Sequence, residues 1–465
     1  MKNLLVQISL VACVIFFAMS CDDLFEVNDL TKGEEESFFK DRETAEMSVS
    51  GAYVLARRAV MTGSSWALYS DVRSGLLKIN GPELEDFYNQ RLNSNQAMFK
   101  NLQDWERFYK AITQCNVVME QVPKIEEFIK EEEKSRFVAE VKFIRAFLYF
   151  NMVRIWGDVP LVTNTSEIDP LPRQDQTEVL GFAIKDLTEA LEVLPAVYTT
   201  PTGLEDKFTT RSRASKGACL ALMAHIHAWA GNYTLSLEAV NSLVALDLYE
   251  LTPVELLQNA FEGITNENIF GLLPADDFND DFEFSTEDNL FDQDIAFNGK
   301  VLPRVEGLSY ADVNALYSGS DGRKAKYFEV NDVEETVRFR KITGNSMINS
   351  GFFRYADILL LGAEATVTAD PATAIAFLNQ VRTRAGLAEY DVTVDGALED
   401  AILTERRREL YAEGHDFFDL VRFGRVSEKV ANISPADVRD GIILWPVSSE
   451  SFLNNSMIVQ NPFWN

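Results

Sequence analysis

Apolar positions along this chain recur mostly at intervals of three and four, and the densest such stretch runs from Arg136 to Pro160. There Phe137, Val141, Ile144, Leu148, Met152 and Ile155 form one stripe of a helix, with Phe143, Phe147 and Phe150 as a second stripe beside it. A helix apolar over most of its girth has to be covered on several sides. Its polar residues Glu140, Arg145, Asn151 and Arg154 then need partners, because an unpaired buried charge is strongly destabilising. Gly157-Asp158 and Pro160 supply the stop. The pattern predicts a central helix.

Helical period appears again on both sides of it. Asp41 is an N-cap candidate for a helix reaching about Val60, a second runs from Trp105 to the stop at Pro123, and another from Thr177 to Leu194. Arg213 to Asn241 reads as two apolar helices joined at Gly231-Asn232-Tyr233, and Tyr355 to Leu387 as two more joined at Asp370-Pro371. The segments 105–122 and 136–155 suggest a third such pair. Each pair hides its apolar face only by stacking on its neighbours, which predicts a mostly α, tetratricopeptide-like solenoid of helical pairs. Two stretches lose the period. Residues 61–101, with Gly, Ser and Asn throughout, read as a long polar loop region, and residues 250–350 alternate acidic and aromatic residues with Gly, Asn and Ser. Long irregular regions in a compact protein are the expected carriers of a ligand site.

The amino terminus changes the picture. One Lys precedes an apolar run from Leu4 to Met19, too short for a spanning helix and placed as a secretory signal peptide. Small residues lead into Cys21 in the manner of a lipobox. The expected organisation is a signal peptide at 1–20, a lipidated acidic tether at 21–40 attached through Cys21, and a single helical domain at 41–465. The formal charge of −29 argues against nucleic acid and against binding an anionic membrane by surface charge. Contact with the membrane is expected through the lipid anchor alone. Cys115 and Cys219 fall in apolar helical patterns and read as small core residues rather than parts of a disulfide framework.

Candidate chemistry points to binding. The three His offer no metal clamp: His225 and His227 are two apart and face different ways on a helix. No zincin motif, P-loop or nucleophile elbow is present. We therefore expect no catalytic residue, metal or cofactor. Arg406-Arg407-Arg408, flanked by Glu405, Glu413, Asp416 and Asp419, reads as a structural ion-pair network. The acidic stretch 276–294 offers oxygen ligands for Ca²⁺ without the spacing of an EF-hand loop, so a solvated loop is the reading it favours. Of the six Trp, Trp105, Trp156 and Trp229 fall in helical patterns and Trp445 and Trp464 in the extended carboxy-terminal stretch, which leaves Trp66 alone in a polar loop. In GSSWALYSDVRSG it stands with Tyr69, Asp71 and Arg73, a flat ring for a sugar face beside groups that bond its hydroxyls. The alternative is that Trp66 folds back to plug the core. Phe284 and Tyr310 are the candidates from the second irregular region.

The string RAFLYFNMVRIWGDVPL resembles the central segment of the SusD/RagB family. TERRRELYAEGHDFFDLVRFGR resembles its carboxy-terminal signature, and Trp445-Pro446-Val447 with Gln460-Asn461-Pro462 resembles its closing segment. Cys21-Asp22-Asp23 resembles the acidic tag for surface export. The resemblance implies a lipid-anchored, surface-exposed nutrient-binding protein of the outer membrane. Such proteins take an oligosaccharide or polysaccharide, in some members a peptide, and pass it to a SusC-like TonB-dependent outer-membrane transporter. An α-helical glycan-cleaving enzyme and a protein-docking scaffold are the competing functions.

Overall fold

A computed structural model of the chain describes residues 38–81, 84–126, 130–166, 169–272, 294–297, 300–303, 307–317, 319–341 and 351–465. The signal run, Cys21, Phe284 and the acidic stretch as far as residue 293 lie outside them. The architecture is mostly helical. Helix α1 (Arg42–Met61) starts on Asp41, whose carboxylate accepts from the Thr44 N–H at 3.0 Å while Thr44 Oγ1 accepts from the Asp41 N–H at 3.2 Å, a reciprocal cap. Helix α2 (Glu106–Gln121) stops before Pro123, and the central helix α3 (Glu131–Trp156) ends at Gly157 with φ +75°. The other principal helices are α4 (Gln176–Val193), α5 (Lys216–Trp229), α6 (Tyr233–Val244), α7 (Tyr355–Thr366), α8 (Pro371–Arg384), α9 (Leu398–Glu409) and α10 (Asp416–Arg422).

The helices pack as pairs: α1 with α2, α3 with α4, α5 with α6, and α7 with α8, the last two joined where α6 lies on α7. The pairs at 213–241 and 355–387 are those expected. The third differs, since the central helix packs most extensively on α4 and α2 most extensively on α1. A helix with two apolar stripes has two neighbours, and a buried charge locks them together. Arg145 on α3 grips Asp186 on α4 through Nε and Nη2 at 2.8 and 2.9 Å and donates to Asn116 Oδ1 on α2 at 2.7 Å. Cys115 and Cys219 are buried free thiols within the helices.

The first irregular stretch is largely buried from residue 61 to residue 81 rather than being a polar loop throughout. After α1 the chain turns through Gly63 and Ser64, both at positive φ, and continues as short helical turns at Ser65–Ala67 and Leu68–Val72. Their side chains are buried, as are Leu77, Phe87 and Phe99 further on. The polar residues that gave the stretch its loop-like look tie its backbone down: Ser65 Oγ donates to the Val60 carbonyl at 2.9 Å, and Ser70 Oγ accepts from the Phe417 N–H at 3.1 Å. In the 250–350 region, Asn268–Gly271 pairs antiparallel with Gly351–Arg354, and two further short antiparallel ladders join Asp294–Phe297 to Lys300–Pro303 and Phe328–Asn331 to Thr336–Phe339. The carboxy terminus returns to the central helix, where the Trp445 N–H donates to the Ile155 carbonyl at 2.7 Å. Among the described residues no helix is long and apolar enough to cross a membrane.

Candidate ligand-binding site

The structure places Trp66, Tyr69, Asp71 and Arg73 in the interior. Tyr69 donates to the Leu102 carbonyl at 2.8 Å and packs its ring edge-on to Trp156 and Trp445. The Asp71 carboxylate accepts from the backbone N–H groups of Gly414 and Asp416, and burial together with the Asp416 charge holds its acid well above the usual range. Arg73 donates to the Ile442 and Ile443 carbonyls and stacks on Phe417 at 4.0 Å. Asp71 and Arg73 thus fasten the carboxy-terminal signature to the first irregular region, leaving no surface for a sugar. Trp66 is 8% exposed and, with Tyr69, lines a small central cavity. Of the other two candidates, Phe284 is outside the described residues. Tyr310 opens a short helix at Tyr310–Leu316, with its hydroxyl bonded to Asp332 Oδ1 at 2.9 Å.

The ion pairs expected around Arg406-Arg407-Arg408 are present. Arg406 bridges Asp419 and Asp357 at 2.8 and 2.9 Å, Arg407 holds Asp416 at 2.8 Å, and Arg408 approaches Glu405 at 3.5 Å. His225 bonds Asp357 at 2.7 Å and faces His415 across 6.1 Å, so two of the three His meet in the core. Burial pushes His415 down to about 4, which keeps it neutral at ordinary pH, although Asp357 and Asp419 act in the other direction.

Among the described residues, two wide concavities open to solvent besides the central cavity. One, of about 450 Å³, lies where the two irregular regions meet, between Leu76 and Lys78 on one side and Leu308 and Asp312 on the other, with Arg407 and Lys429 at its edge. Among the described residues no aromatic ring lines it. The other is a groove of about 480 Å³ where the start of α2, the 160–171 segment and the helix Ser449–Asn454 converge. Its apolar lining is formed by Trp105, which is largely buried, the half-buried ring of Tyr109, Pro160, Leu171 and Ile458. Its rim carries carboxylates of Asp104, Asp169 and Glu450 with the hydroxyl of Ser451 and the amide of Asn454. The Tyr109 ring is fixed by its hydroxyl, which donates to the Pro160 carbonyl at 2.7 Å, and the Asn455 amide ties the closing segment to the Leu171 carbonyl at 2.7 Å. A fixed ring inside a rim of acceptors and donors suits a polar ligand with one apolar face, as sugars have. Sequence reasoning missed this groove. Tyr109 sits in a helical stripe and reads as core, and the rim comes from segments more than fifty residues apart. The one local signal was the aromatic pair Trp105 and Tyr109 at i, i+4 beside Asp104 and Glu106.

The family model described as "starch-binding associating with outer membrane" matches residues 41–227, and the SusD family model matches residues 287–464. The chain belongs to the SusD family. Related chains agree along nearly the whole length: a SusD-like protein of Formosa agariphila is 27% identical over 95% of both chains. Crystal structures of a SusD homologue and of a SusD superfamily protein, both from Bacteroides thetaiotaomicron, superpose on this SusD-family chain with TM-scores of 0.80 and 0.77. They are 27% and 29% identical to it, and each match covers 92% of this chain and 100% and 99% of theirs.

Proposed function

We propose that this SusD-family chain is a lipid-anchored, surface-exposed glycan-binding protein of the outer membrane. It captures an oligosaccharide or polysaccharide in the groove over Trp105 and Tyr109 and delivers it to a SusC-like TonB-dependent transporter. The reading is of a binding protein, with no step of catalysis. The observation that carries it is the groove itself: on a fold whose family is described as starch-binding, it combines a fixed aromatic lining with a hydroxyl-matching rim. A laminarin-binding SusD-like protein shares the fold with a TM-score of 0.67 at 22% identity, so the scaffold is compatible with glycan capture. The anchoring part rests on the apolar run ending in Cys21, and the 1–20, 21–40 and 41–465 organisation follows from it.

The test is a polysaccharide panel including laminarin and starch, followed by calorimetry on the glycan retained best. Removing a stacking ring costs about 1.4 kcal/mol, roughly tenfold in Kd. Tyr109→Ala should weaken binding by that factor. If no glycan is retained, the peptide-binding and scaffold readings take over. A Tyr109→Ala protein that binds as tightly as the parent removes the groove from the site.

A further inference from the structure

The central helix demands partners for four polar residues, and the fold provides them unequally. Glu140 accepts from Arg213 Nε at 2.7 Å and from the Tyr53 hydroxyl at 3.0 Å, Arg145 grips Asp186, and the Asn151 amide donates to the Phe147 carbonyl at 2.8 Å. Arg154 differs. Its guanidinium lies against the rings of Phe150 and Phe418, 4.3 and 4.4 Å from their centroids, and donates through Nη2 to Asn151 Oδ1 at 2.6 Å. Among the described residues its Nε has no hydrogen-bond partner and no carboxylate lies within ion-pairing distance of it. The nearby acids are engaged elsewhere. Asp357 bonds His225 and Arg406, Asp419 bonds Arg406 and Arg422, Glu364 bonds Arg422, and Glu413 bonds Arg354 and Lys341.

Arg154 also borders the central cavity, together with Trp66, Asn151, His225, Phe353 and His415. The open space is about 40 Å³, the room of about three water molecules. That is enough for a carboxylate group and too little for a sugar ring. Phe352, Glu413 and Gly414, also on its wall, are partly exposed, so the cavity has a mouth. A planar guanidinium held between two rings presents its N–H groups as a fork, the geometry that matches a carboxylate.

We propose that the central cavity is a carboxylate-binding site, in which Arg154 holds the acid group of a ligand whose body stays outside the mouth. The chemistry fits an acidic sugar or the carboxyl end of a peptide. One negative charge suits the site, because the surrounding carboxylates would repel a dianion. The site shares no lining residue with the Trp105–Tyr109 groove, so it stands or falls apart from the glycan reading.

The experiment uses the mature chain and three probes: glucuronate, N-acetylalanine and uncharged glucose, followed by ligand-observed NMR. At least one acid should bind, at about millimolar strength for a single charged contact, and glucose should not bind in competition with it. Which acid binds more tightly identifies the source. Arg154→Gln should abolish this binding. Arg154→Lys keeps the charge but loses the fork and should weaken it about tenfold, and it decides alone if Arg154→Gln does not fold. Failure of both acids to bind the parent chain overturns the proposal, as does undiminished binding in the variant that decides.

Discussion

Trp66→Ala separates the two roles that the sequence allows this residue. The indole is 8% exposed and closely packed: a Cβ placed on Gly414 would lie 3.0 Å from Trp66 Cε3. Truncating such a side chain removes its transfer energy and opens a hole beside the central cavity, at a cost of about 3–5 kcal/mol. The entropy of unfolding, about 2.1 cal/mol/K per residue, gives roughly 1 kcal/mol per degree for a chain of 465 residues. The melting temperature should therefore fall by about 3–5 °C. Trp66→Phe, which refills much of the space, should recover about half of that loss. Differential scanning calorimetry gives the shift, and glycan titration well below the melting temperature shows whether binding survives. The core role predicts a clear drop in melting temperature with groove binding intact. A melting temperature unchanged within about a degree, with binding lost, would refute the packing argument and return Trp66 to the ligand.

Two further outcomes follow from other parts of the chain. Replacing Cys21 by Ala should release the protein from the outer membrane and abolish labelling by a palmitate analogue; equal labelling of the variant would dismiss the lipobox reading. His415, held at about 4 in the fold against 6.5 in the unfolded chain, contributes stability that is complete above 6.5. The unfolded state gains a proton first as pH falls, so that contribution is lost between those values, up to about 3 kcal/mol. Urea unfolding of the parent and of His415→Gln across this window should show a steeper fall in the parent, and parallel curves would mean that His415 titrates normally in the fold.

The chain order of helices was legible because period, caps and stops are local. Asp41, Asp370-Pro371 and Gly157 mark boundaries with chemistry that acts within one turn of helix. The ion-pair role of Arg406-Arg407-Arg408 was legible for a similar reason, since two of its acids, Asp416 and Asp419, lie within the next helix. Partner choice was not. Which helix covers which stripe of α3 depends on Arg145 meeting Asp186 and Asn116, residues that no local pattern connects. The first irregular region shows the limit most plainly. Its Ser, Asp and Arg residues look like a solvated loop because sequence reports polarity but not where the partners stand. Asp71 bonds a backbone N–H 343 residues away, and Arg73 a carbonyl 370 residues away. A polar group in water and one satisfied in the core carry the same letter in the sequence, and only the tertiary structure, by supplying or withholding the distant partner, decides that Asp71 and Arg73 are fasteners while Arg154 faces a cavity.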